Sequence, residues 1–337
     1  MNNLSRTDIT GTVLEIQRWS VSDGPGSRTV IFLKGCPLHC PWCANPESQD
    51  RRVQMAIFST RCVRCGACVR ECPENVAIPA AEGAFGTDNC TGCGNCIRSC
   101  HGGARSWMGE EMTAGEVVDL VKKDMVFYRK SSGGVTFSGG EPLTHPQFLG
   151  EIINRCMDLG IHTAVETCGY FDWKAAEKTI AMLDFIMFDL KHMDEATHKR
   201  LTGVSNRLIL ENILKISSFG IPMVIRIPVI PGVNDDEHNI RATAVFVRDH
   251  LPQAIGIEAL AYHRLGVNKY QALGIEYPLG HIEPPSDSRM AALRKLITDT
   301  GVPSITADND YDAQLVRSRL KSTPKHLTKD GPDNAQT

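Results

Sequence analysis

The sequence predicts an α/β fold: a parallel sheet with covering helices, shaped as an incomplete (β/α)6 barrel and interrupted by a small second module. Two observations carry this. Strand-like and helix-like runs alternate through the second two thirds of the 337 residues, the pattern of a parallel sheet. In addition, eleven of the 13 cysteines fall between Cys36 and Cys100. Within that region, residues 53–109 show almost no periodic apolar pattern. Such a block cannot build its own hydrophobic core, so inorganic ligation must hold it together.

The elements follow in order. Residues 12–18 and 29–33 read as short strands, separated by the turn-forming run Ser22-Asp23-Gly24-Pro25-Gly26-Ser27-Arg28. After the cysteine block, Thr113-Ala114-Gly115-Glu116 is a capping box. It opens a helix with Val117, Leu120, Val121, Met125 and Tyr128 on one face. Further strands are expected at 134–138, 162–167, 184–190, 223–230, 256–262 and 303–306. Helices are expected around 146–159, 173–181, 209–219, 237–250 and 286–300. The expected division is 1–52 and 110–310 for the barrel, 53–109 for the insert and 311–337 for a polar, disordered C-terminal segment.

Composition narrows the function. A net charge of −3, from 36 basic and 39 acidic residues, excludes a broad electrostatic grip on nucleic acid or anionic lipid. No run of 18 apolar residues is present, and Met1 to Gly11 lacks the apolar segment of a signal peptide. A cytoplasmic chain is therefore expected. Clustered cysteines there read as metal or redox sites before disulfides.

The cysteines form two kinds of site. Cys62-x2-Cys65-x2-Cys68-x3-Cys72 recurs 28 residues later as Cys90-x2-Cys93-x2-Cys96-x3-Cys100. This is the bacterial ferredoxin spacing, in which the fourth cysteine of each run ligates the other cluster. Cys62, Cys65, Cys68 and Cys100 are expected to hold one [4Fe–4S] cluster, and Cys90, Cys93, Cys96 and Cys72 the other. Pro73 follows Cys72 as the pattern expects, whereas His101 replaces the second proline. A pair of zinc sites is the rival reading, but zinc usually takes C-x2-C pairs separated by a longer loop. The other site, Cys36-Pro37-Leu38-His39-Cys40-Pro41-Trp42-Cys43, has three cysteines and no fourth nearby. Three thiolates on a four-iron cube leave one iron open for a ligand. The rival there is zinc completed by His39, which would have to fold back on its neighbour Cys40.

C-x3-C-x-aromatic-C just after a first strand resembles the cysteine motif of the radical S-adenosylmethionine (SAM) enzymes. Thr136-Phe137-Ser138-Gly139-Gly140-Glu141-Pro142, at the end of a later strand, resembles the Gly-Gly-Glu segment of the same enzymes. Further motifs stand in a telling order: Asp23-Gly24-Pro25-Gly26, Glu166-Thr167-Cys168-Gly169, Asp189-Leu190-Lys191, Arg226 to Gly232, and Tyr262-His263-Arg264-Leu265-Gly266. Together with the insert they resemble the glycyl-radical enzyme activating enzymes, in the subgroup that carries a two-cluster insert. The likeness spans about residues 9 to 280.

The resemblance implies an incomplete (β/α)6 radical SAM barrel with an inserted ferredoxin-like 2[4Fe–4S] domain. It implies that Cys36, Cys40 and Cys43 hold the cluster that cleaves SAM reductively, and that the resulting 5′-deoxyadenosyl radical takes hydrogen from a glycine of a partner enzyme. Trp42 would lie near the adenine. Gly139, Gly140 and Glu141 would meet the methionine amine, and Asp189 and Lys191 the ribose and the methionine carboxylate. Arg226 and His263 match other pocket positions. Glu166-Thr167, with Met187, occupies the place of a monovalent cation site. Asp23, Gly24 and Gly26 would receive the partner's glycine loop. Three [4Fe–4S] clusters, SAM, a glycyl radical enzyme partner, a flavodoxin or ferredoxin donor and a monomeric state are the resulting expectations. Cys156 and Cys168 read as buried filler. Two other functions compete: a radical SAM enzyme acting on a small molecule or peptide, and a ferredoxin-type electron carrier. The carrier reading leaves the Cys36 site and the β/α sheet unexplained.

Overall fold

The structure is a computed structural model and describes residues 8–78, 80 and 89–306. The expected C-terminal segment 311–337 lies outside the described residues, as do 307–310. The chain opens with a hairpin, β1 (Thr10–Ser20) and β2 (Arg28–Leu33). The insert contributes β3 (Gln54–Ile57), the single-turn helices α1 (Ala67–Arg70) and α2 (Asn95–Arg98), and β4 (Arg105–Met108). Next come β5 (Glu110–Thr113), α3 (Ala114–Val121) and α4 (Met125–Ser131). The β/α units then run β6 (Gly134–Gly139), α5 (Pro146–Asp158), β7 (His162–Thr167), α6 (Trp173–Ile180) and β8 (Phe185–Asp189). They continue with α7 (Glu195–Thr202), α8 (Arg207–Ser217), β9 (Met223–Val229), α9 (Glu237–His250), β10 (Ala254–Ala261), α10 (Val267–Ala272) and α11 (Asp287–Thr298).

The main sheet has the order β10-β9-β8-β7-β6-β2-β1-β5. The strands from β2 through β6, β7, β8 and β9 to β10 pair in parallel, which gives six parallel strands. β1 is antiparallel to both β2 and β5. Among the described residues β10 and β5 form the two edges, so the sheet curves without closing. Its outer face packs on helices through residues such as Ile31, Phe137, Val165, Ile186, Ile225 and Ile257, all fully buried.

Three sequence expectations change. The run 303–306 is no strand. Only Ser304 bridges to Ile257 beside β10, and Ile305 turns into the barrel beside Phe185 and Met187. The capping box of Thr113 and Glu116 forms, but the helix breaks at a 3-10 turn over Lys122–Asp124. Val118, rather than Leu120, completes its buried face. The short helices α7 and α10 were not visible as periodic patterns. No helix among the described residues is long and apolar enough to cross a membrane.

Two lysines brace the segment that leads into the insert. Lys34 is fully buried, and its Nζ donates to the Glu47 carbonyl and, at 3.2 Å, to Gln54 Oε1 of β3. Lys269 of α10 meets Glu47 Oε1 at 2.6 Å and Asn45 Oδ1 at 2.7 Å.

Candidate active site

The loops after the parallel strands enclose a cavity of about 350 Å³ at the strand C-terminal ends, where barrel folds carry their chemistry. Cys36, Cys40 and Cys43 form one wall. Main-chain bonds fix their loop: Gly35 N donates to Ser48 O at 2.6 Å, Cys36 N to Gln49 O at 3.1 Å and Cys43 N to Cys40 O at 3.1 Å. Burial pushes the Cys40 thiol up to about 12 and raises Cys43. His39 is exposed and outside the lining, so it does not join the three sulfurs.

The turn that ends β6 is locked against this loop. Gly140 N donates to Leu33 O and Glu141 N to Gly35 O, each at 2.8 Å. The approach is so close that a Cβ on Gly140 would stand 2.4 Å from the Gly35 carbonyl oxygen. Gly139, at φ +107, would bring a Cβ to 2.4 Å from Leu33 O. Both glycines line the cavity. Glu141 does not. Its carboxylate is fully buried and accepts from Leu143 N at 3.1 Å, Cys168 N at 2.7 Å and the Thr167 hydroxyl. Burial raises its carboxyl, and the bonds from Cys168 and Thr167 oppose that. Glu141 therefore staples the end of β7 to the cysteine loop.

Lys191 Nζ meets Asp189 Oδ2 at 2.9 Å, and both residues line the same cavity as the cysteines. Burial, the largest single influence on Lys191, works to lower its ammonium. Asp189 and the cysteine sulfurs outweigh it and hold the group charged. Trp42, nearly buried, packs with Leu38, Ile230, Tyr262 and Leu279 around the pocket. Thr167 and His263 also line it.

The structure separates Arg226 from these residues. Arg226 lies outside the lining, one layer down in the barrel. Its Nη1 donates to Glu166 Oε1, its Nε to Glu258 Oε2 at 2.8 Å and its Nη2 to Ser22 O at 2.8 Å. Glu166 does reach the lining, and its other oxygen accepts from the Ser138 hydroxyl. Burial pushes the Glu166 carboxyl up to about 7 against the pull of Arg226. Met187 is fully buried in the apolar layer with Ala164, Phe185, Val224 and Ile305.

The Asp23–Gly26 loop enters from the other end of β2. Arg28, fully buried, binds it down: Nη1 donates to Pro25 O at 2.9 Å, Nε to Thr136 Oγ1 at 2.5 Å and Nη2 to Val135 O at 2.5 Å. Burial pushes this guanidinium down to about 10. The Thr136 hydroxyl in turn donates to Asp23 O at 2.6 Å. Asp23, Gly24 and Gly26 thus sit apart from the cavity lining, linked to it through Ser22 and Arg226.

Cys156 is fully buried in the main core, as expected. Cys168 is not mere filler. It lines the cavity together with Cys36. Ser138, Glu258 and Tyr262 also belong to the site region and were missed. For Ser138 and Glu258 the available signal was a polar residue at an inward-facing strand position.

In the insert, Cys72, Cys90, Cys93 and Cys96 surround one cavity of about 210 Å³. Cys62, Cys65, Cys68 and Cys100 surround a second, smaller one. The fourth cysteine of each run thus crosses to the other group. Four thiols around a void suit a multi-atom cluster.

Comparison with known proteins agrees with this geometry. The radical SAM superfamily pattern matches residues 85–244, a 4Fe-4S dicluster domain residues 54–101 and a 4Fe-4S single cluster domain residues 22–74. The isethionate sulfite-lyase activating enzyme of Nitratidesulfovibrio vulgaris is 39% identical over 89% of this chain and 99% of its own. The choline trimethylamine-lyase activating enzyme of Oleidesulfovibrio alaskensis is 40% identical over 86% of this chain and 96% of its own. A solved domain of pyruvate-formate lyase-activating enzyme from Bacteroides vulgatus is 35% identical, covering 51% of this chain and 98% of its own, with a TM-score of 0.44. The fold is that of a radical SAM enzyme, and the chain belongs to the glycyl-radical enzyme activating enzymes of that superfamily.

Proposed function

We propose that this chain activates a partner glycyl radical enzyme, with Cys36, Cys40 and Cys43 holding a [4Fe–4S] cluster whose open iron faces SAM. The observation that carries the reading is one cavity lined both by the three cysteines and by the Lys191–Asp189 pair. When bound, the cluster supplies the electron that cleaves SAM to methionine and a 5′-deoxyadenosyl radical, which takes a hydrogen atom from the partner's glycine. The chain's own residues bind and orient. Lys191 offers its ammonium to the methionine carboxylate, a charge-assisted bond. Gly139 and Gly140 present main chain to the methionine amine, and Asp189 serves the ribose. Trp42 and Tyr262 exclude water from the adenine side and His263 closes the rim. Glu141 acts from behind by fixing the glycine turn.

The finer assignments belong to the same proposal. The barrel is 1–52 and 110–310, with 53–109 as the insert. The insert holds two further [4Fe–4S] clusters on its two interlocked cysteine quartets. A flavodoxin or ferredoxin supplies electrons to a monomeric, cytoplasmic enzyme. The partner's glycine loop enters through the open side of the sheet and meets Asp23, Gly24 and Gly26. The test is release of 5′-deoxyadenosine from anaerobically reconstituted, reduced protein given SAM and a glycyl radical enzyme. Product that vanishes on replacing Cys36, Cys40 or Cys43 supports the reading. Undiminished product from those variants refutes it.

A further inference from the structure

Glu166, Thr167 and Met187 occupy the place for which the sequence resemblance implied a monovalent cation, yet each is committed elsewhere. One Glu166 oxygen accepts from Arg226 and the other from Ser138. The Thr167 hydroxyl lies 2.8 and 2.9 Å from the two Glu141 oxygens and accepts from Gly169 N at 3.0 Å. Met187 is sunk in an apolar layer. These residues do not fit an ion.

Beside them a positive charge is already in place, that of Arg226, paired with Glu166 and Glu258. The Arg226 side chain is 7% exposed and the Glu258 side chain 6%. Glu166 lies between Arg226 and the cavity: its carboxylate pairs with the guanidinium, and the residue lines the cavity. An ion bound to Glu166 Oε1 would share that oxygen with a guanidinium, two like charges in a poorly solvated interior. The guanidinium is also tethered. Ser22 O and Glu258 hold its other nitrogens at 2.8 Å each, so it has little freedom to swing aside.

We infer that Arg226 is a built-in cation of the SAM site: it stands in for a bound monovalent ion, positions Glu166 at the cavity floor, and frees SAM binding from any need for sodium or potassium. Arg226 is a positioning residue that acts through Glu166. This rests on the SAM reading above, and the test separates the two.

SAM affinity is measured by titration calorimetry on the fully reconstituted chain, in tetramethylammonium, sodium and potassium chloride at equal ionic strength. The electron paramagnetic resonance spectrum of the reduced protein with SAM serves as a second readout. Wild-type Kd is expected to agree within about twofold across the three salts. Arg226→Lys keeps the charge and is expected to stay indifferent to the salt. Arg226→Ala leaves Glu166 without its cation. SAM should then bind at least about tenfold more weakly in tetramethylammonium, with part of the loss regained in sodium or potassium. Wild-type affinity that tightens more than about fivefold with either small cation overturns the inference. So does a folded Arg226→Ala protein that binds SAM like wild type in every salt. Should Arg226→Ala fail to fold, the wild-type series decides by itself. Loss of SAM binding in all salts by cluster-loaded wild type would instead strike down the SAM reading, and this inference with it.

Discussion

Glu141 Oε2 lies 2.7 Å from the main-chain nitrogen of Cys168, joining the turn after β6 to the end of β7 across 27 residues of sequence. A single buried carboxylate thus ties the glycine turn to the end of β7. Replacing Glu141 with alanine leaves the main-chain N–H groups of Leu143 and Cys168 unpaired. The expected cost is about 2–6 kcal/mol of stability, since each of the two stranded buried donors costs about 1–3 kcal/mol. Glu141→Gln, which keeps one acceptor oxygen, should lose less. Urea unfolding midpoints of the two variants give the comparison, and equal midpoints would contradict the stapling role.

Gly26 has φ +66, and a Cβ there would stand 2.3 Å from Ser131 O. Gly26→Ala must therefore push the Asp23–Gly26 loop away from α4. Misplacement by about 1 Å can cost about 100-fold in a positioned reaction. Glycyl radical formation on the partner should fall further than 5′-deoxyadenosine release. Spin quantification of the partner, set against product chromatography, measures both, and equal losses would count against a loop-receiving role.

Three clusters imply about 12 iron atoms per chain, four to each cube. Cys43→Ala should lose about four of them together with SAM cleavage. Cys90→Ala should lose insert iron while SAM still perturbs the remaining spectrum. Iron analysis with resonance spectroscopy checks both. A Cys90 variant blind to SAM would show that the two sites are not independent.

Cluster assembly should depend on pH. With Cys40 pushed up to about 12, its thiol is protonated at pH 7, and iron must displace that proton. Below that pKa the thiolate fraction rises about tenfold per pH unit. Growth of cluster absorbance in the apo-protein should therefore quicken from pH 7 to pH 8 and again to pH 9. A flat profile would mean that thiol ionisation does not limit assembly.

Lys191→Gln removes the ammonium from the cavity wall and leaves Asp189 unpaired. SAM affinity should fall by about 10- to 100-fold, the scale of a charge-assisted bond worth about 1.5–3 kcal/mol. Calorimetric titration with SAM checks this, and an unchanged Kd would remove Lys191 from the binding site.

Much of this molecule was legible in its sequence. The six parallel strands appear as runs with regular alternation, because a strand buried by helices must be apolar wherever it packs. The interlocked quartets follow from local spacing, since C-x2-C-x2-C wraps one cube whatever surrounds it. Cys36, Cys40 and Cys43 lie within eight residues of one another, so chain stiffness alone brings them to one side of a loop. Cys168 was harder to read. Nothing near it in sequence predicts that it lines the same cavity as Cys36.

The sequence by itself determined the strands, the cysteine groups and the class of chemistry, because each is encoded over short stretches of chain. Only the tertiary structure decided what meets across the barrel. Arg226 finds Glu258 32 residues away, Glu166 60 away and Ser22 204 away. Strand alternation places the Arg226, Glu166 and Glu258 side chains on the inner face, and Ser22 meets Arg226 through its main-chain oxygen from the loop after β1. Which of them touch depends on sheet curvature and strand order, and those arise only when the whole core packs. For the same reason Glu141 and Arg226, both read from motifs as pocket residues, prove to lie behind the pocket and hold it in shape.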